Sequence, residues 1–204
     1  MNFIKYAKQA ERVVIAKCEG PLDTYFVPGD PVRCKSFRPK QTLKGAQTSS
    51  TLLVVSDLPG RAIRGSAPRL FYQGFYLLYL KQTERARTVA DALEADPNTA
   101  YELVATESAL QLDGPWRGET SNFVFEEETG LAPESDPDAV IEAANKSCEF
   151  ATSEPQRKKQ IADEIRARGT RLLEWLCAQM EAELEEADND LTGNRQKKPP
   201  REKK

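Results

Sequence analysis

The sequence predicts an α+β fold, with a small, mostly antiparallel N-terminal sheet covered by four or five helices, a long C-terminal helix and a disordered basic tail. Three observations point there. Short β-branched or aromatic runs separated by Gly, Pro and Asp clusters crowd the first sixty residues. Apolar residues recur at helical spacing through the last third, at Ile161, Ile165, Leu172, Leu176, Met180 and Leu184. Residues 188–204 then lose every apolar period and end in Lys-Lys-Pro-Pro-Arg-Glu-Lys-Lys.

Each element has its own warrant. Residues 2–12 carry Phe3, Ala7 and Ala10 near helical spacing, a short helix. Residues 13–16, 24–27 and 32–37 read as strands, with turns at Gly20-Pro21 and at Pro28-Gly29. Residues 38–50 read as a flexible basic loop, and residues 51–55 as the clearest strand. Residues 70–80 fit helix or strand. Ser66-Ala67-Pro68 resembles a helix start, and the stripe Phe71, Phe75, Leu78, Val89 and Leu93 favours one helix to about residue 95. Gly74 would cost that helix ~1 kcal/mol. Asp96-Pro97 opens a second helix through Leu110, residues 123–125 a short strand, residues 126–138 an acidic exposed segment, and residues 137–150 a third helix. A last helix, capped by Ser153, runs to about residue 187 unless Gly169 bends it. The organisation is a core over residues 1–150, an amphipathic helix over 151–187 packed on that core or on a partner, and the tail over 188–204.

Composition excludes whole classes of chemistry. The chain of 204 residues contains no histidine, so Ser-His-Asp and Cys-His hydrolysis and HExxH metalloprotease sites are ruled out. The four cysteines, Cys18, Cys34, Cys148 and Cys177, form no CxxC pair, so no zinc or dithiol motif exists and free thiols are expected. No metal or cofactor is predicted and no catalytic residue stands out. The densest apolar stretch is about half the ~20 residues a membrane span needs, and no signal peptide is visible. The expected setting is cytoplasmic.

Charge is segregated. Residues 1–81 hold 13 Lys and Arg against 5 Asp and Glu, whereas residues 82–150 hold 4 against 16. A basic first third beside an acidic middle suggests a polyanion partner. The candidate nucleic-acid contacts are Arg33, Lys35, Arg38, Lys40 and Lys44, with Phe37 among them to stack on a base, continued by Arg61, Arg64 and Arg69. The reading is a non-enzymatic nucleic-acid-associated or regulatory protein. The alternative is a protein-interaction adaptor, or a homodimer, using the acidic middle segment, Trp116 and the helix bearing Trp175. A third reading is an enzyme that clamps a phosphorylated small molecule with Arg61 and Arg64 in the Gly60–Gly65 segment.

Overall fold

The computed structural model describes residues 2–27, 30–57, 74–105, 108–112, 137–168 and 171–191, and for residues 20–27, 30–33, 56, 57, 171 and 188–191 it describes the backbone alone. Helix α1 (Phe3–Gln9) opens with Asn2, whose side-chain oxygen accepts from the Lys5 amide at 2.9 Å. Strands β1 (Arg12–Val27), β2 (Asp30–Lys44), β3 (Leu52–Asp57) and β4 (Phe75–Lys81) follow. Then come α2 (Glu84–Ala92), a 3-10 turn (Pro97–Thr99), β5 (Ala100–Leu103) and β6 (Ala109–Gln111). Helices α3 (Pro137–Thr152), α4 (Pro155–Arg166) and α5 (Arg171–Leu191) complete the described chain.

The strands run β1-β2-β3-β5-β4, and β4 pairs back onto β1 from Arg12↔Leu80 to Lys17↔Phe75. That last ladder closes a five-stranded barrel, with β6 added to the free part of β4. All its pairings are antiparallel except β3 with β5. The expected small, mostly antiparallel sheet covered by helices is therefore wrong. The reason lies in β1, which is hydrogen-bonded on both sides and buried on both faces. Val14, Ala16 and Cys18 point into the barrel with Phe37, Leu52, Val54, Tyr76, Leu78, Leu80, Tyr101 and Ala109. Val13 and Ile15 point outward beneath the helices. A strand covered on both faces loses the apolar–polar alternation that marks an open sheet.

The same burial explains residues 75–81. They form β4 and not a helix, because both sides of the run are covered: Tyr76, Leu78 and Leu80 fill the barrel, and Leu77 and Tyr79 face the helical layer. The expected helix survives only beyond it, as α2, where the Thr83 hydroxyl accepts from the Ala86 amide at 3.0 Å and opens a new helix. The helix expected from Asp96 is also absent. Asp96 caps only the 3-10 turn, and Tyr101 and Leu110 belong to β5 and β6. Nor do Gly20 and Pro21 end a strand. They sit within β1 at a register irregularity between Glu19 and Asp23, and the β1–β2 ladder continues to Val27↔Asp30.

The last helix is two helices, packed side by side as a hairpin. Ser153 does not cap α4; its hydroxyl donates back to the Glu149 carbonyl at 2.7 Å and helps to end α3. Helical spacing of four and seven residues continues across the break, through Ile161, Ile165, Leu172 and Leu176, so periodicity alone could not reveal it. Helices α1, α3, α4 and α5 build a second apolar cluster on the outside of β1, β4 and β6, from Phe3 and Tyr6 through Val140, Phe150, Ile161, Leu172 and Met180. Between α3 and α4, Arg157 and Lys146 each bridge Glu149 and Glu164. Lysine, arginine and carboxylate alternate there over solvent-facing turns, so the network orients the helices more than it stabilises them.

Candidate polyanion-binding face

The strand period sorts the basic cluster of β2 into three environments. Phe37 points into the barrel and is 0% exposed, with its ring edge-on to Tyr76 at a centroid distance of 5.7 Å. A ring in that position packs the core and presents no face to a base. Lys35 has the same parity and is 2% exposed, and it lies close enough to Cys18 to act on its thiol. Lys44 lies past a bulge, and its ammonium donates to the carbonyls of Ala7 and Ala10, each at 2.6 Å. It thus closes the carboxyl end of α1, where unpaired carbonyls and the helix dipole favour a cation.

Arg38 and Lys40 remain on the outer surface, and both are exposed. The expected loop over residues 38–50 is strand as far as Lys44, so these two side chains stand on a rigid ladder. Arg38 faces Lys17 directly across the β1–β2 pair, and Lys17 is exposed as well. Lys40 sits between the pairs Ala16↔Pro39 and Ile15↔Gln41, opposite no residue of β1. Lys17 and Arg38 therefore share the outer face, and the exposed Lys40 stands two residues from Arg38. Like charges placed directly opposite each other in a ladder are destabilising. Glu19 offsets part of this, accepting from the Arg38 guanidinium at 2.9 Å, yet the Arg38 side chain stays 59% exposed.

Sequence reading did not find Lys17. It occupies the outward position after Val13 and Ile15, so a period-two count places it on the surface, but only the register puts it beside Arg38. Arg33 lies on β2 opposite Thr24 and Ser56, on the backbone alone. Arg61, Arg64, Arg69, Trp116 and the Gly60–Gly65 segment lie outside the described residues. Trp175 packs on α1, its ring edge-on to Phe3 at 6.4 Å. The groove between α1 and α5, about 470 Å³, sets Lys5 and Lys8 against Glu183 and Glu186, a balance that suits no strongly charged ligand.

All four cysteines are buried, and none forms a disulfide. Burial pushes Cys148 up to about 12, against a smaller opposite pull from Lys44. Cys18 is also raised, mainly by burial, with the Lys35 charge and hydrogen bond acting the other way. Neither is a thiolate at neutral pH, which leaves them poor nucleophiles. Among the described residues, no group of three Cys, Asp or Glu side chains could hold a metal ion. No helix of the described residues is long and apolar enough to cross a membrane. No protein family, curated protein or solved structure matches the chain.

Proposed function

We propose that the protein binds nucleic acid through its phosphate backbone, on the outer β1–β2 face of the barrel. The observation that supports this reading is the exposed cross-strand pair Lys17–Arg38, with the exposed Lys40 at the register shift two residues along β2. Two like charges face each other at a cost to stability, and a ligand of opposite sign relieves that cost. Small five-stranded barrels are a recurrent nucleic-acid-binding architecture, the OB-fold among them; the likeness is one of architecture alone. Since Phe37 is buried, the contact is electrostatic, without a stacked base at that position.

Counterion release then fixes the salt dependence. Three phosphate contacts lower affinity about 20- to 40-fold between 50 and 200 mM salt, for single strands and duplexes respectively. Titration of labelled single- and double-stranded DNA and RNA at those two salt concentrations tests the reading. Charge reversal of Lys17, Arg38 and Lys40 together should flatten the salt slope and leave the melting temperature near that of the parent. Absence of binding at 50 mM salt, or a slope unchanged by the triple reversal, refutes it.

A further inference from the structure

Independently of the outer face, the inside of the barrel holds a second cluster of polar groups. Lys35, Cys18 and Gln111 are 2%, 1% and 4% exposed. Cys18 and Lys35 lie in neighbouring strands, Cys18 opposite Phe37 and Lys35 two residues further along β2 on the same face, and the Lys35 charge acts on the Cys18 thiol. Gln111 ends β6, opposite Tyr76. It shares the parity of Ala109, which lies in the barrel cluster, while Leu110 and Leu112 between and beyond them face the helices. Its carboxamide nitrogen makes no hydrogen bond. These residues occupy the end of the barrel at which β4 begins, since the Cys18 amide donates to the Gly74 carbonyl at 2.8 Å and Gln111 faces the second residue of β4.

The unsatisfied chemistry here is donor-rich. An ammonium carries only donors, a protonated thiol offers one, and the free end of Gln111 is an amide N–H₂. Buried groups of this kind ordinarily find partners, and an unsatisfied one calls for a water, an ion or a ligand. A cation beside a thiol, with an unused amide donor at the same end of the barrel, is matched by a group that supplies acceptors and negative charge.

The geometry points to a binding site for a small oxyanion, a carboxylate or phosphate group, at this end of the barrel, with Lys35 as the charge partner and Gln111 Nε2 and the Cys18 thiol as flanking donors. Binding there satisfies the Gln111 amide and neutralises the buried ammonium.

The test uses the full chain in potassium chloride, potassium phosphate and potassium acetate at equal ionic strength. Phosphate, acetate or both should raise the melting temperature above the chloride value with a saturating dependence, and should slow alkylation of Cys18 relative to Cys34, read by mass spectrometry. The anion that acts identifies the headgroup. Lys35→Met should abolish both effects, and Gln111→Leu should weaken them several-fold. If Lys35→Met fails to fold, Gln111→Leu alone decides. Equal melting temperatures in the three salts, a linear rise shared by the variants, or Cys18 protection that survives Gln111→Leu unchanged would overturn the proposal.

Discussion

Lys35 and Arg38 stand three residues apart on β2, yet they meet different solvents. Lys35 turns into the barrel, against the Cys18 thiol and the apolar wall that includes Phe37 and Val54. Arg38 turns outward, beside Lys17 and within reach of Glu19. The inner face makes a buried cation part of the core, and the outer face leaves cations exposed to solvent. A run of basic residues in a strand is therefore not one patch but two sets of side chains, and each set must be argued on its own face.

The sharpest way to break this comparison is to truncate an inward residue. Phe37→Ala should cost about 3–5 kcal/mol, because it empties a fully buried aromatic position against Tyr76. Chemical denaturation measures it, and an unchanged midpoint would place the ring outside the core. A smaller cost, about 1–3 kcal/mol, is expected for Gly45→Ala just beyond β2. Gly45 has φ +89°, and an added Cβ would meet the Glu11 carbonyl oxygen at 2.8 Å. On the outer face, Arg38→Glu or Lys40→Glu should each shift stability by no more than about 0.5 kcal/mol, since neither side chain is buried. Each should instead reduce the salt slope of nucleic-acid binding by about one.

Two further measurements concern the remaining ionisable groups. Cys148, held near 12 by burial, should stay unalkylated at pH 8 under native conditions and react only as the protein unfolds. Labelling at the rate of a model thiol would contradict that. The smallest effect belongs to the α3–α4 network. Burial would raise Glu149, but hydrogen bonds from Arg157 and Lys146 outweigh it and hold this carboxyl below its usual 4.5. Glu164 is lowered mainly by its hydrogen bond to Lys146, then by Arg157. A lowered carboxylate contributes stability above its unfolded pKa and loses it as pH falls through the folded one. The contribution should therefore fade below about pH 4.5, and Arg157→Ala should flatten that acid limb of the stability curve.

Legibility in the sequence followed burial. Residues 3–9, with apolar positions at helical spacing, and residues 137–152, opened by proline, were readable because each helix presents one covered and one wet side. Residues 75–81 were not, since Tyr76 and Leu77 point to different cores and no alternation remains to be seen. Tyr101 and Leu110 were mistaken for helix because β5 and β6 are only four and three residues long, too short to display a period. At the candidate site, Arg38 and Lys40 stood out by charge alone. Lys17 needed the register, and the inward turn of Lys35 and Phe37 needed the knowledge that residues 38–44 continue a strand.

Closure of the barrel also limits how a partner can approach. From Val13 to Lys17, β1 is paired with β2 on one side and with β4 on the other. An incoming peptide finds no unpaired backbone along that stretch and cannot extend the sheet there by strand addition. Whatever binds this side must be read by side chains, so its affinity can be rewritten by substituting three residues without touching a ladder hydrogen bond.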